Sequence, residues 1–261
     1  MLNARGKDDV CRRECTRVPE KSFTAGRCHC LGALAGRCAR AGGDLMTGRV
    51  GILGVGRVGT AMARQSLRAG YEVALASSGD PAKIELIVEV MAPGATAVAA
   101  EEAVRTSDLV VLAIPLPKYT SLRPALFTDR VVVDAMNYWA ETDGRLPALA
   151  NWASSSEMVA GHLTGARVVK TFNHIGYHDL EADHAPPGSP RRRALAVAGD
   201  DASSRAMVGE LIERIGFDAV DAGPLAAGAA FEPGTEIFSG RHDRVTLRHE
   251  LDLACQAQTV R

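Results

Sequence analysis

The sequence predicts an α/β fold, in which a doubly wound parallel sheet is followed by a smaller C-terminal α/β lobe. From Arg49 onward, short apolar runs alternate with segments of helical periodicity, which is the order of strands joined by crossover helices. Two of the runs, 109–114 and 131–134, are apolar over almost their whole length, as expected of strands buried on both faces. The chain of 261 residues is long enough for a core domain with a smaller lobe.

The first half of the chain has the more regular pattern. Gly70 ends the first predicted helix, Pro81 begins the second, and Pro115 stops the fourth strand. The short apolar runs predict strands at 49–53, 72–76, 95–99, 109–114 and 131–134, and the segments between them predict helices at 57–69, 81–90 and 101–106.

The second half is less regular, and its clearest element is an amphipathic helix at 203–215. The inward positions of that helix are Met207, Val208, Leu211, Ile212 and Ile215. Around it, the pattern predicts a helix at 154–162 and strands at 166–171, 194–198 and 217–220. The charged residues after Gly240 predict a peripheral tail.

The glycines of the stretch GILGVGRVG have the spacing G-x-G-x-x-G between the first strand and the first helix. Gly54 permits a tight turn, Gly56 leaves room for a pyrophosphate, and Gly59 lets the helix pack closely on the sheet. The free N–H groups at the start of the helix attract phosphate. The turn, including Val55, Arg57 and Val58, therefore predicts a dinucleotide site in a Rossmann-type doubly wound sheet, in preference to a purely structural turn.

The end of the second strand indicates which dinucleotide is bound. An NAD site usually has an acidic residue there, whereas this strand is followed by Ser77 and Ser78, with the first carboxylate at Asp80. Hydroxyl and N–H groups can donate to a 2′-phosphate, and Arg57 and Lys83 are close enough in sequence to add positive charge. The pattern favours NADP over NAD, with a simple turn at Ser77 and Ser78 as the alternative.

Three later strand ends supply candidates for the ring side of the site. Pro115 ends the fourth strand at the edge where ligands of such folds bind. Asn137 follows the fifth strand, and its amide could hold a carboxamide or simply satisfy a turn. Asn173 and His174 follow the next strand, where His174 could donate to a substrate carbonyl or be a histidine without a chemical role.

The chain resembles the coenzyme F420-dependent NADP oxidoreductase family, which includes bacterial NADPH-dependent deazaflavin reductases. The resemblance extends from about Arg49 to Glu236 and rests on these segments: GILGVGRVGTAMARQSLRAGYEV, AIPLPKY, DAMNYW, VVKTFNHIGYHDL, AVAGDD and GFDAVDAGPLAAG.

The resemblance implies hydride transfer between NADPH and coenzyme F420 as co-substrate, in a homodimer. It implies that the three glycines hold the pyrophosphate and that Ser77 and Ser78 hold the 2′-phosphate. It also implies that Ala113, Ile114 and Pro115 lie beside the nicotinamide ribose, and that Asn137, Asn173 and His174 surround the ring pocket. His174 would then donate to the anionic reduced deazaflavin.

Two other functions remain open at this stage. A reductase of an imine, a ketone or a flavin would use the same dinucleotide turn, and a carbonyl or imine acceptor would require a proton donor, for which His174 and Tyr177 are the candidates. A non-catalytic NADP-binding sensor would need no donor at all. The sequence has no Ser-His-Asp order and no H-E-x-x-H motif.

The dinucleotide turn predicts partners that are small-molecule cofactors, and composition and charge point to no other kind of partner. The net charge of −1 does not suggest nucleic acid, and no apolar run approaches the roughly 20 residues that cross a bilayer. We therefore expect no membrane or nucleic-acid partner and a cytoplasmic location.

The first 45 residues have a composition of their own. They contain Cys11, Cys15, Cys28, Cys30 and Cys38, at spacings that match no common zinc motif. A disordered extension is favoured there over a metal or redox site, and no metal site is predicted. The expected organisation is an extension at 1–45, an NADP-binding Rossmann domain at 46–150, an acceptor-side lobe at 151–240 and a polar tail at 241–261.

Overall fold

The computed structural model describes residues 48–259, and their strands form one eight-stranded sheet. The predicted extension at 1–45, with its five cysteines, lies outside the described residues. The strands are β1 (Arg49–Leu53), β2 (Glu72–Ala76), β3 (Thr96–Ala97), β4 (Leu109–Leu112), β5 (Val131–Asp134), β6 (Arg167–Lys170), β7 (Ala194–Gly199) and β8 (Asp218–Gly223).

The sheet has the strand order β3-β2-β1-β4-β5-β6-β7-β8. The first six strands are parallel, β7 runs antiparallel to β6, and β8 is parallel to β7. The order 3-2-1-4-5-6 is that of a Rossmann sheet, whose ligands bind at the carboxyl ends of the strands where the order reverses. Here the reversal lies between β1 and β4, so the predicted fold class is confirmed.

In the first half of the chain the helices agree with those predicted from the sequence. In the second half the structure contains more helices than the sequence pattern predicts. They are α1 (Arg57–Arg68), α2 (Glu85–Met91), α3 (Ala100–Thr106), α4 (Ala140–Asp143), α5 (Ser155–His162), α6 (Tyr177–Ala182), α7 (Ala202–Arg214), α8 (Glu236–Ser239) and α9 (Arg244–Thr259). Within the described part of the chain, none of these helices has the length and apolar character needed to span a bilayer. The helix predicted at 81–90 is divided into a 3-10 turn at Pro81–Lys83 and helix α2.

Two cores cover the two faces of the sheet. One contains the inward residues of α1 and α7, such as Met62 and Leu211, and the other those of α3 and α5, such as Val104 and Met158. Helices on both faces bury the central strands completely, which explains why β4 and β5 are apolar throughout.

The C-terminal part adds a third core. The residues of β7 alternate between faces, so that Leu195 contributes to the first core and Ala196 to the third. The sequence predicts a peripheral polar tail at 241–261, whereas the structure has helix α9 over most of that range, with Leu247 and Leu251 buried in this third core. The two leucines lie one helical turn apart, so they form the inward side of a helix whose other positions are mostly polar.

Candidate functional site

The glycine turn between β1 and α1 has the geometry that its spacing predicts. Gly54 has a φ of 125°, and its N–H donates to the carbonyl of Ala76 at 2.8 Å. A Cβ at Gly54 would lie 2.2 Å from the carbonyl oxygen of Ala113, and one at Gly59 would lie 1.9 Å from that of Gly54. Side chains at either position would therefore force apart the ends of β1, β4 and the start of α1.

Gly56 differs from the other two glycines because the space beside it is open. A Cβ at Gly56 would meet nothing within 4 Å. Gly56 is also the N-cap of α1, where no side chain caps the helix. The first N–H groups of a helix have no partner within the helix, and its N-terminus carries partial positive charge. The turn therefore has both the room and the donors that a pyrophosphate requires.

The side chains of the turn point in different directions. Val55 and Val58 are half-buried and pack against the first core. Arg57 is exposed, and its Nη1 donates to the hydroxyl of Tyr177 at 3.1 Å, with the guanidinium 5.5 Å from the centre of that ring. Tyr177 begins α6, so the structure joins Arg57 to a helix that lies 120 residues away in sequence.

A pocket of about 420 Å³ opens beside the loop that follows β2. Ser77, Ser78 and Gly79 line it, together with residues of α3 and of the segment after β4. Asp80, the first carboxylate after the strand, accepts a hydrogen bond from Ala82 N at 3.0 Å and caps the 3-10 turn. The described lining includes neither Arg57 nor Lys83, the two cations that the sequence suggests for a 2′-phosphate.

The end of β4, with Ala113, Ile114 and Pro115, lies next to the glycine turn. Ala113 N donates to Leu53 O at 2.9 Å, and its carbonyl faces Gly54. Ala113 and Ile114 are half-buried, whereas Pro115 is exposed and begins the 3-10 helix Leu116–Ser121. This backbone is therefore available at the carboxyl edge of the sheet.

Asn137, Asn173 and His174, which follow the adjacent strands β5 and β6, form one hydrogen-bond network. Asn137 Nδ2 donates to Asn173 O at 2.7 Å, and Asn173 Nδ2 donates to Asn137 Oδ1 at 3.1 Å and to Phe231 O at 2.8 Å. Phe172, buried and with a φ of 62°, turns the chain so that both following side chains point inward. Asn137 is half-buried and remains the member of the network nearest to solvent.

Both ring nitrogens of His174 form hydrogen bonds with protein atoms. Its Nε2 accepts from Ala196 N at 3.0 Å, which leaves the proton on Nδ1, 3.1 Å from Asn173 Oδ1. Burial, together with the smaller effect of the positive charges of Arg193 and Lys170, lowers the pKa of His174 to about 3. The predicted role of His174 as a donor to a ligand conflicts with this geometry, because both ring nitrogens already have protein partners and the ring is neutral.

Sequence reasoning missed a buried charged cluster beneath the same edge. Lys170, at the end of β6, lies with its Nζ 3.9 Å from Asp134 Oδ2 and 3.6 Å from Glu232 Oε1. The Nζ also donates to Met136 O at 3.3 Å and to Ser155 Oγ at 3.2 Å. The sequence signal for this cluster was a lysine at the end of an apolar strand. A lysine is rarely buried unless it is paired with an opposite charge. The cluster holds the turn that carries Asn137.

Several solved structures have a fold similar to that of this chain. The hypothetical protein SMa0349 from Sinorhizobium meliloti is 28% identical, with a TM-score of 0.62 over 76% of this chain and 95% of that one. A candidate F420-dependent NADP-reductase from Arthrobacter sp. FB24 is 22% identical, with a TM-score of 0.60 over 70% and 88%. The 3-hydroxyisobutyrate dehydrogenase of Mycobacterium tuberculosis is 18% identical, with a TM-score of 0.51 over 71% and 57%. No protein with a curated description matches the chain in sequence.

These structures show that the fold is of the Rossmann type. The glycine turn and the match to a family model together support an NAD(P)-dependent oxidoreductase. Residues 49–138 match the sequence model of the family described as NADP oxidoreductase, coenzyme F420-dependent. This segment contains the glycine turn, the pocket beside β2 and the ends of β4 and β5, and over it the chain is similar to that family. The resemblance noted from the sequence is thus confirmed.

Proposed function

We propose that the protein transfers hydride between NADPH and the deazaflavin coenzyme F420. The observation that carries the proposal is the open phosphate turn at Gly56, which lies within the segment that matches the F420-dependent family. The Arthrobacter structure with the same fold, which is named as a candidate F420-dependent NADP-reductase, is in keeping with this acceptor. The neutral, fully bonded His174 suits a reaction in which hydride passes directly between two cofactors.

In this proposal, the chain's own residues bind and orient the reactants. The N–H groups at the start of α1 hold the pyrophosphate, and Ser77 and Ser78 face the adenine ribose. The backbone of Ala113, Ile114 and Pro115 lies beside the nicotinamide ribose, and the Asn137 amide has capacity left for a ring substituent. NADPH supplies the hydride when it is bound, and such transfer requires the donor and acceptor carbons to be roughly 3–3.5 Å apart.

The first experiment mixes the full-length protein with NADPH and oxidised F420 and follows the loss of deazaflavin absorbance. We expect rapid loss with NADPH, and little with NADH or when FMN replaces F420. The matched control is Gly56→Val, which fills the open turn with a side chain while leaving the rest of the site in place. Tight NADPH binding without any loss of absorbance would refute F420 as acceptor and leave the dinucleotide site intact.

A second candidate is the reduction of an imine or a ketone, which needs a proton as well as a hydride. One observation favours it: the Tyr177 hydroxyl accepts a hydrogen bond from Arg57 Nη1 at 3.1 Å, which holds a candidate proton donor beside the dinucleotide turn. Tyr177→Phe separates the candidates, because it would lower imine or ketone turnover by about 100-fold or more and leave F420 reduction within about threefold. NADPH binding without turnover of any acceptor would instead indicate a non-catalytic sensor.

We also propose that the protein acts as a cytoplasmic homodimer and that residues 151–240 form its acceptor side. The family resemblance implies the dimer, and the position of the Asn173 network after β6 supports the acceptor side. Sedimentation of the full chain with and without NADPH tests the dimer. A monomer under both conditions would contradict it.

A further inference from the structure

The pocket beside the β2 loop contains one pair of opposite charges, Glu101 and Arg123. Glu101 lies in the first turn of α3, and Arg123 immediately precedes the 3-10 helix Pro124–Leu126. Arg123 Nη2 is paired with Glu101 Oε1, and the two side chains are 62% and 64% exposed. An ion pair this exposed contributes little to stability, so a ligand with more negative charge can displace the carboxylate at low cost.

Arg123 has the chemistry that a phosphate group selects. A guanidinium is always charged and presents a planar set of donors that matches phosphate oxygens in pairs. Ser77 and Ser78 line the same cavity and add hydroxyl groups. Neither of the two cations suggested by the sequence competes for this position, since Arg57 is held by Tyr177 and Lys83 lies outside the described lining.

We infer that Arg123 binds the 2′-phosphate on the adenine ribose of the dinucleotide and thereby determines the preference for NADPH over NADH. In the free protein Glu101 holds the guanidinium, and the 2′-phosphate takes the place of that carboxylate on binding. This inference rests on the proposed function only for the identity of the dinucleotide, because it makes no use of the acceptor.

Glu101 should affect NADPH binding in the opposite direction to Arg123. Without Arg123, its carboxylate would remain in the pocket, where it would repel a 2′-phosphate and accept hydrogen bonds from a free ribose hydroxyl. Removing the arginine should therefore weaken NADPH and spare NADH. Neutralising the glutamate should strengthen NADPH, because Arg123 loses the partner with which the phosphate competes.

The test is a set of titrations of the full-length protein with NADPH, NADH, 2′,5′-ADP and 5′-AMP. The variants are Arg123→Ala and Glu101→Gln, with Arg105→Ala as a control that removes an exposed positive charge elsewhere on α3. We expect Arg123→Ala to weaken NADPH and 2′,5′-ADP by about tenfold or more and to leave NADH and 5′-AMP within about twofold. Glu101→Gln should tighten NADPH by about two- to fivefold, and the control should stay near the unmodified protein.

Two results would overturn the inference. One is an Arg123→Ala protein that keeps its NADPH affinity within twofold, and the other is an equal loss for NADPH and NADH. The use of the nucleotide fragments keeps this test separate from the proposed function. If the expected affinities were found but F420 were not reduced, Arg123 would stand as the phosphate-binding residue while the proposed acceptor failed.

Discussion

Replacing Lys170 with methionine removes the only positive charge among the described residues of the buried cluster and keeps most of the side chain's volume. Lys170 and Asp134 are completely buried, and Glu232 is 22% exposed. Asp134 would keep its hydrogen bonds from Met136 N and Ser156 Oγ, at 2.9 and 2.5 Å, but would lose its nearby cation.

The size of the expected loss in stability follows from the distances between the Lys170 ammonium and the two carboxylates. At an effective dielectric constant of about 20, opposite charges about 4 Å apart attract by about 4 kcal/mol, and the Nζ of Lys170 lies 3.9 and 3.6 Å from its two carboxylates. Desolvation of the ammonium group offsets part of this attraction in the native protein. Removing one partner of a buried pair leaves the other charge uncompensated, so we expect the free energy of unfolding to fall by about 3–5 kcal/mol.

Urea unfolding, followed by circular dichroism, measures this change. The control is Arg214→Met, which breaks an exposed pair with Glu210 on α7 and should cost no more than about 0.5 kcal/mol. Adding Asp134→Asn to the Lys170→Met protein should restore part of the loss, because it removes the uncompensated charge. A loss below about 1 kcal/mol in the single variant, or no recovery in the double variant, would refute the reasoning.

Two other predictions concern the turn and the network. The folded pKa of His174, about 3, lies below its ordinary value of 6.5, so the unfolded state binds the extra proton. The free energy of unfolding should therefore fall as pH decreases from about 6.5 towards 3, by up to about 1.4 kcal/mol per pH unit from this group. Urea titrations from pH 7.5 to 4.5 should show this component lost in His174→Gln and kept in His178→Gln; equal slopes in both would contradict it. Gly56→Ala should stay within about 1 kcal/mol in stability and weaken NADPH about tenfold, whereas Gly59→Ala should unfold at much lower urea; equal losses of stability would contradict the distinction.

The features that the sequence predicted best depend on neighbouring residues. Gly54, Gly56 and Gly59 lie in one turn between one strand and one helix, and their spacing contains almost all of the geometry. The same is true of β4 and β5, whose apolar runs follow directly from burial on both faces. These features required no knowledge of distant parts of the chain.

The features that were missed depend on contacts between distant residues. Arg57 was expected near Ser77 but contacts Tyr177, which the fold brings to it from α6. His174 was expected to face a ligand, but its Nε2 accepts a hydrogen bond from Ala196 N of β7, a strand that lies further along the chain. Arg123 enters the pocket from the segment after β4, and no sequence spacing connects it to the β2 loop. In each case the position of the side chain depends on residues of another element, which the local sequence pattern does not reveal.

The antiparallel direction of β7 has a consequence for the segment that connects it to β6. Parallel neighbours need a crossover of a dozen or more residues, whereas antiparallel neighbours such as β6 and β7 can be joined by a short hairpin. Residues 171–193 are therefore longer than closing the sheet requires, and they supply Asn173, His174 and Tyr177. The same segment carries Leu180, which is buried in the first core and whose carbonyl accepts a hydrogen bond from Gln65 of α1. A change in this one connection would therefore reach both the proposed acceptor side and the helix that begins at the dinucleotide turn.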